Sequence, residues 1–265
     1  MTTAPKPIRW HSLATMAVSP KACKRAAEIE REDTPALFAG RVIHCATLEP
    51  SRFLRDYRCQ PDFGDGRTKA AKEARAEWMT TLGAAEPVPQ DVYDLALTCA
   101  RSVEAHPHAL ALLKRARTEV EIAWNIDGIA CEGRVDILRP VGIADLKSTR
   151  QESLRAMHAD FARHLYHGQM AWYHDGAVRA GLVTTPEAPS VIAVQTVEPF
   201  DVAVMQMSDE SLMAGRALYS RLLKTWLGCQ EASWWPGIAP DVVTWDLPAW
   251  AEGMADLNSD QEDIW

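Results

Sequence analysis

The block from Thr118 to Ser148 constrains the fold more than any other part of the sequence. It reads EVEIAWNIDG, then IACEGRVDIL, then VGIADLKST, with alternating apolar and polar positions and many β-branched side chains. This period of two is typical of strands, because successive side chains point to opposite faces of a sheet. Turn residues separate the segments at Asp127-Gly128 and at 139–142, so the block predicts three antiparallel strands.

Helical patterns precede and follow this block. The helices predicted before it run from Pro20 to about Glu32, from Pro35 to Leu48, from Thr68 to Leu82 and from Gln90 to about Ala105, with a loop at 61–66. After it, helices are predicted over 153–164 and 166–182, two strands within 190–207, and a last helix from Ser208 to Leu227. This order predicts an α/β fold in which helices flank a mixed central sheet.

Length and composition set the limits on domains and partners. With 265 residues and 47% hydrophobic content, the chain can bury one full core. We expect one domain over residues 1–245, with a helical elaboration at 15–115 and an α/β core at 117–228. An acidic tail, 246–265, follows it. The net charge of -8 indicates that any contact with nucleic acid uses a local patch.

Two absences shape the expected environment. No segment reaches the roughly 18 apolar residues that a spanning helix needs, and the N-terminus lacks the apolar core of a secretory signal. A cytoplasmic location without membrane contact is therefore expected. The six cysteines are scattered along the chain and have no metal-site spacing, so neither an iron-sulfur cluster nor a disulfide is expected.

The second predicted hairpin carries the residues that suggest chemistry. If its turn is centred between Pro140 and Val141, the numbers of cross-strand partners sum to 281, which places Asp136 opposite Asp145. Lys147 then points to the same face as Asp145, because it lies two residues further along the strand.

Two facing carboxylates repel each other unless a positive charge lies between them. A divalent cation with oxygen ligands, Mg²⁺ or Mn²⁺, suits this position, and an adjacent lysine can orient water or stabilise charge on a phosphate. A lone D-x-K is usually a surface ion pair. Here, however, Ile137, Leu138, Ile143 and Leu146 flank the motif, so charges inside a central sheet require a functional reason.

The arrangement resembles the PD-(D/E)XK nucleases, in particular the RecB-like branch with its QxxxY element. Asp136 and Asp145-Leu-Lys147 match the core motif, and Gln169-Met-Ala-Trp-Tyr173 matches QxxxY. SPKACK, then G-x-x-x-H-x-x-x-LEP around His44, CEGRVDIL, DLKST and YHGQMAWY, in this order, resemble RecE-type exodeoxyribonucleases. The resemblance covers residues from about 15 to 200.

The resemblance implies specific roles. His44, Asp136 and Asp145 would bind the metal with the carbonyl of Leu146, and Lys147 would act on the attacking water. Gln169 and Tyr173 would hold a DNA phosphate or Lys147. An acid on the preceding strand would complete the site. The candidates for it are Glu121 and Glu119; we name Glu121, although strand alternation places both on one face.

The resemblance also implies a substrate and partners. The expected activity is 5′-to-3′ digestion of linear double-stranded DNA with Mg²⁺, or Mn²⁺ in its place, in a bacterial or phage-infected cell. The expected partners are a RecT-like single-strand annealing protein and further copies of the chain in a ring of three or four, with apolar area from the tryptophans at 226, 234, 235, 245 and 250. The candidate DNA contacts are Lys21, Lys24, Arg25, Arg52, Arg134, Ser148, Thr149 and Arg155.

Three alternatives remain open at the level of sequence. An inactive DNA-end-binding or adaptor module would keep the fold, but such loss usually removes an acid or the lysine, and none is missing. A PD-(D/E)XK endonuclease shares the core motif and is disfavoured by the RecE-like flanking segments. The iron-sulfur branch of the same fold carries three clustered late cysteines, whereas only Cys229 is late here.

Overall fold

The N-terminal half of the molecule is mostly helical. The computed structural model describes residues 6–29 and 33–248 of the chain. The elements of this half are α1 (Trp10–Ala14), α2 (Pro20–Glu28), α3 (Pro35–Leu48), α4 (Pro50–Asp56), β1 (Tyr57–Cys59), α5 (Lys69–Thr81), β2 (Glu86–Val88), α6 (Gln90–Ala105) and α7 (Pro107–Leu113). Strands β1 and β2 form a small parallel sheet of their own.

The second half builds the central sheet. Its elements are β3 (Arg117–Ile126), β4 (Ile129–Arg139), β5 (Gly142–Thr149), α8 (Leu154–Arg163), α9 (Tyr166–Arg179), β6 (Ser190–Gln195), β7 (Val202–Gln206) and α10 (Asp209–Ala232). The strand order is β3-β4-β5-β6-β7, in which β5 and β6 are parallel and the other neighbours antiparallel. The predicted α/β fold with a mixed sheet is confirmed. In the described part of the chain, no helix combines the length and the apolar run needed to cross a membrane.

The helical prediction was wrong at the end of α2, and it missed α1, α4 and α7. Helix α2 ends at Glu28, because Ile29 is already extended; Glu32, the predicted end, lies outside the described residues. The sequence also gave no sign of α4, because Pro50 was interpreted only as the stop of the preceding helix. In the structure Pro50 occupies the first turn of α4, where its missing N–H has no helical partner to lose.

Each face of the sheet is covered by a separate hydrophobic core. Helices α9 and α10 pack on one face, with Trp172 at the centre and Val135, Ile143 and Val191 from the strands. Helices α3, α4 and α6 pack on the other; the strands contribute to this core with Ile137, Ala144, Leu146 and Ile192. The central strands are therefore buried on both sides, and their alternation decides which layer each side chain meets.

The ladder of the sheet is interrupted at Asp136. Strand β4 pairs with β5 from Arg139 with Gly142 to Ile137 with Ala144, in the predicted register, but the pairing ends there. Between β3 and β4 the pairing runs the length of both strands except at Glu119 and Asp136. Glu119 has a φ of 53°, in the left-handed region that costs a non-glycine residue about 1–2 kcal/mol.

Candidate active site

Asp136 lies where β4 and β5 separate. The sequence predicted a direct cross-strand pair of Asp136 with Asp145, and this prediction was wrong, because the hydrogen-bonded ladder ends one pair earlier. The Asp136 side chain takes the place of the missing strand partner: its Oδ2 accepts a hydrogen bond of 2.9 Å from the backbone N–H of Leu146. The carboxylate is thereby fixed in the gap between the two strands.

His44 and Glu119 converge on the same gap. His44 comes from α3, and its Nδ1 lies 3.7 Å from Oδ2 of Asp136 and 3.8 Å from Oε1 of Glu119. The backbone at Glu119 is left-handed, and its carboxylate lies on the same side of β3 as Glu121 and faces His44. The side chain of Glu119 is 12% exposed and that of Asp136 is 14% exposed, so both acids are shielded from bulk water.

The other nitrogen of His44 sets the orientation of its ring. Nε2 lies 2.6 Å from the carbonyl oxygen of Leu146. A carbonyl can only accept, so Nε2 carries the proton, and the lone pair of Nδ1 faces the two carboxylates when the ring is neutral. A histidine that binds a metal typically donates its other N–H in this way. The Leu146 carbonyl, which the resemblance names as a further metal ligand, accepts this hydrogen bond from His44.

Lys147 and Asp145 form an ion pair on the α9 face of the sheet. Lys147 Nζ lies 2.6 Å from Oδ2 of Asp145, and it also lies 4.5 Å above the ring of Tyr166, the first residue of α9. A cation over an aromatic face is attracted by the negative face of the ring. The lysine is therefore held between a carboxylate and an aromatic ring, with its ammonium inside the cavity wall.

Gln169 and Tyr173 complete this wall. They lie one helical turn apart on α9 and line the same cavity as Asp136, Asp145 and Lys147. The ring of Tyr173 packs against Gly133 of β4. Gly133 allows the close approach of the strand to this ring, because a Cβ there would overlap the Tyr173 side chain. The predicted QxxxY pair is thus placed beside the core acids.

Burial and neighbouring charges shift the pKa values of the site residues. Desolvation, together with the nearby charge of Asp145, raises the pKa of Asp136 well above that of an exposed carboxyl. Desolvation also lowers the pKa of Lys147, but the charges of Asp145 and Asp136 outweigh it and the net pKa is raised. For His44 the same balance holds, since the carboxylates of Asp136 and Glu119 outweigh desolvation and raise its pKa.

The donor set fits a divalent cation. Single ligand atoms of His44, Glu119 and Asp136 all lie within 4.8 Å of one another, so small side-chain rotations would bring them around one ion. Two carboxylates with one imidazole suit Mn²⁺ well and also accept Mg²⁺. The environment of Asp136 is a second reason to expect a cation. It disfavours the charged form of the carboxyl, and a bound cation would favour that form.

The structure distinguishes between the two candidate acids on β3. Glu119 reaches His44 and also pairs with Arg134, whose Nε lies 2.8 Å from its Oε2. Glu121 lines the cavity but is exposed and is not in the group with His44 and Asp136. Strand alternation could not distinguish them, because it places both on the same face of β3.

Tyr166 was missed by the sequence analysis. A signal for it exists: Tyr166, Gln169 and Tyr173 are spaced by three and four residues, so they form one stripe along α9. The rings of Tyr166 and Tyr173 and the amide of Gln169 lie near the acids or the lysine of the site. The QxxxY motif is thus the second part of a longer pattern.

Two of the predicted DNA contacts lie at the wall of the cavity, where each is ion-paired. Arg52 pairs with Glu49 and Asp56, and Arg134 pairs with Glu119. Their charges are therefore compensated locally. For Arg52, whose ion pairs are open to solvent, exchanging a carboxylate for a phosphate costs little, since exposed ion pairs contribute about 0–1 kcal/mol.

The other predicted DNA contacts lie away from this wall. Lys21 and Lys24 line a second cavity, Arg25 is exposed on the same helix α2, and Arg155 is exposed on α8. Ser148 is half-buried. Thr149 is buried, and its hydroxyl accepts the Gln151 N–H.

Comparisons with known proteins identify the family and the fold. A family model described as a PDDEXK-like domain of unknown function (DUF3799) matches residues 13–242. The fold is similar to a crystal structure from Eubacterium rectale described as that of a "Putative exonuclease", with a TM-score of 0.54 and 13% identity, over 96% of this chain and 93% of that one. At this identity the likeness concerns the fold alone. No curated protein matches the chain.

The electrostatics of the site predict opposite effects for its two aspartates when no metal is present. In EDTA, Asp136→Asn should raise the midpoint of thermal unfolding by about 2–4 °C, equivalent to about 1 kcal/mol. The substitution removes a carboxylate whose raised pKa marks it as unfavourably charged, and the amide oxygen can still accept the Leu146 N–H. Asp145→Asn is the matched comparison. It should lower the midpoint, because it leaves the ammonium of Lys147 without its anion. A lower midpoint for Asp136→Asn would contradict this description of the site.

Proposed function

The chain belongs to the family of PDDEXK-like domains, within the PD-(D/E)XK nuclease superfamily, and on this basis we propose that it is a metal-dependent exodeoxyribonuclease of the RecE type. It digests the 5′-ended strand of linear duplex DNA and leaves 3′ single strands for annealing. One observation carries the proposal. The pair of Lys147 with Asp145 opens into the same cavity as the group of His44, Glu119 and Asp136.

Each side chain of the cavity has a role in phosphodiester hydrolysis. His44, Glu119 and Asp136 would hold a divalent cation, with Asp145 as the adjacent acid. The cation, when bound, supplies Lewis-acid stabilisation of the phosphate charge. The ammonium of Lys147 orients the attacking water and donates to a phosphate oxygen as negative charge develops on it. The imidazole ligand favours Mn²⁺ as a replacement for Mg²⁺.

Gln169 and Tyr173 position the substrate. Burial and the charge of Asp145 raise the pKa of Tyr173 to about 12, so the phenol keeps its proton at neutral pH and can donate a hydrogen bond to a phosphate oxygen. Gln169, one helical turn before Tyr173, lines the same cavity and can donate its amide N–H to a further phosphate oxygen. Tyr166 keeps the ammonium of Lys147 in place from the other side.

The size of the cavity supports cleavage at a DNA end. Its volume is about 820 Å³, within the range of roughly 300–1,000 Å³ that holds one small ligand. A strand end of one or two nucleotides fits such a space, whereas a double helix does not. The side chains of Arg9, Arg41, Arg52 and Arg134 at its wall are each paired with an acid and are available to exchange that partner for a phosphate.

The two remaining alternatives make different predictions. A catalytically inactive DNA-end-binding or adaptor module would retain the fold without the chemistry, but all the acids and the lysine of the motif are present and face one cavity. An endonuclease would use the same residues and would also cut DNA that has no ends. Linear and closed circular substrates therefore separate the three possibilities.

We predict that digestion depends on ends and on Lys147. With Mg²⁺ or Mn²⁺, the protein should degrade a linear duplex from its 5′ ends and leave a closed circular duplex of the same sequence intact. Lys147→Ala should lower the rate at least about 100-fold, because it removes the group that acts on the water and phosphate. The rate is measured as release of a 5′ end label.

Arg75→Ala, at an exposed residue of α5 outside the cavity, is the control and should digest at the wild-type rate. Discrete cuts in circular DNA would show that the protein is an endonuclease and not an exonuclease. Wild-type rates for Lys147→Ala would reject the assignment of the site.

The resemblance to RecE-type enzymes also supports a ring of three or four copies and a single-strand annealing protein as partner. A protein of net charge -8 has limited long-range attraction to DNA, and a ring would retain its substrate by topology. Of the tryptophans expected at subunit contacts, Trp226 and Trp235 pack against the core of this chain. Trp250 lies outside the described residues. Trp245 is 84% exposed, and Ile238, Val242 and Val243 near it are exposed as well.

A ring should be disrupted by a single charge introduced at the contact between subunits. Light scattering at micromolar concentration should give three or four subunits, and digestion of a long duplex should persist when excess trap DNA is added. Trp245→Glu should shift the mass towards one subunit, because the charge would be buried in the contact. Met213→Glu, at an exposed apolar residue on α10, should leave the mass unchanged. A monomeric wild-type protein whose digestion stops on addition of trap DNA would reject the ring.

A further inference from the structure

A second cavity lies between α2 and the segment that follows α10. Its volume is about 510 Å³. The residues that line it are Lys21, Lys24, Ser233, Trp234, Trp235, Pro236, Gly237 and Pro240. It thus combines two ammonium groups with aromatic and proline rings, and none of these residues belongs to the cavity of the acids.

The backbone around this cavity fixes the direction of Trp234. Ser233 ends α10 with a φ of 50°, and the N–H of Trp234 donates to the carbonyl of Cys229. Trp235 turns inward and packs against Trp226, with 6.5 Å between the ring centroids. The Lys21 N–H then donates to the carbonyl of Pro236, which ties the segment to α2. As a result, the side chain of Trp234 points outward and is 59% exposed.

The two lysines differ from the basic residues of the active-site cavity. Lys21 and Lys24 lie one turn apart on α2, are exposed, and have no acidic partner among the residues that the structure describes. In contrast, the arginines at the wall of the first cavity are all ion-paired. On a chain of net charge -8, two uncompensated ammonium groups beside an exposed indole mark a site for an anion with a flat apolar part.

We propose that this second cavity binds single-stranded DNA. An unpaired base stacks on the indole of Trp234, and the phosphates on either side contact Lys21 and Lys24. Base stacking on an aromatic ring does not depend on sequence, which suits a strand of any composition. Paired bases in a duplex are already stacked on each other and cannot use the ring, so the surface favours single strands.

The position of the cavity gives the strand a source. His11 lies at the wall of the active-site cavity and Lys21 at the wall of the second. Ten residues separate them, so their Cα atoms are at most about 35 Å apart. A strand that leaves one cavity can therefore reach the other within a few nucleotides. The source of the strand rests on the proposed function: the bound strand is the 3′ single strand that digestion exposes.

Binding to a fluorescein-labelled oligothymidine in EDTA, measured by anisotropy, tests the proposal without hydrolysis. Trp234→Leu keeps apolar bulk but removes the ring, and it should weaken binding about tenfold. Trp234→Phe keeps a ring and should restore most of the affinity. The double change Lys21→Gln and Lys24→Gln should reduce the slope of log K against log salt by about 1.4, the value for two lost phosphate contacts on a single strand.

The double change Lys72→Gln and Arg75→Gln, at two exposed residues of α5, is the charge-matched control and should leave the slope unchanged. Equal affinity of Trp234→Leu and wild type for the oligonucleotide would overturn the proposal. It would also be overturned if these variants lost binding only of a polyglutamate peptide, since the surface would then serve an acidic protein. If the wild type bound the oligonucleotide as expected but digested no DNA, the proposed function would fail and this site would stand.

Discussion

The candidate site depends on a single hydrogen bond that replaces a strand contact. The Asp136 carboxylate accepts the N–H of Leu146 at the point where β4 and β5 stop pairing. The separation of the strands opens the sheet between its two helical layers. His44 reaches the opening from α3, whereas Lys147 and Asp145 face α9. Neither layer alone could bring an imidazole, the acids and an ammonium into one cavity.

This arrangement costs free energy, which the packing of the surrounding residues offsets. Glu119 has a left-handed backbone, and Asp136 is desolvated next to a second carboxylate. The residues on either side, Ile137 and Leu146, are fully buried in one core, while Trp172 fills the other. Strain of this kind persists where packing over-determines the backbone, and it is concentrated at functional sites. A bound cation would relieve the electrostatic part of it.

Regular features of the sequence predicted the regular parts of the structure. The period of two gave β3 to β5 with their register, and the spacing of Gln169 and Tyr173 placed both on one face of α9. Irregular backbone was not predictable in the same way. Alternation placed Glu119 and Glu121 on one face, and the left-handed φ of Glu119 exists only where the strand is already packed. The partner of the Leu146 carbonyl also depended on how α3 crosses β5, which no local pattern encodes.

The central claim is that the break in the strand at Glu119 completes a metal site. Titration calorimetry of Mn²⁺ into the wild-type protein, Glu119→Gln and Glu121→Gln tests it most directly, because the two variants remove the same charge two residues apart. The account predicts that Glu119→Gln weakens Mn²⁺ binding by at least about tenfold. Glu121→Gln should bind Mn²⁺ as the wild type does. Weakened binding in Glu121→Gln together with normal binding in Glu119→Gln would contradict the account.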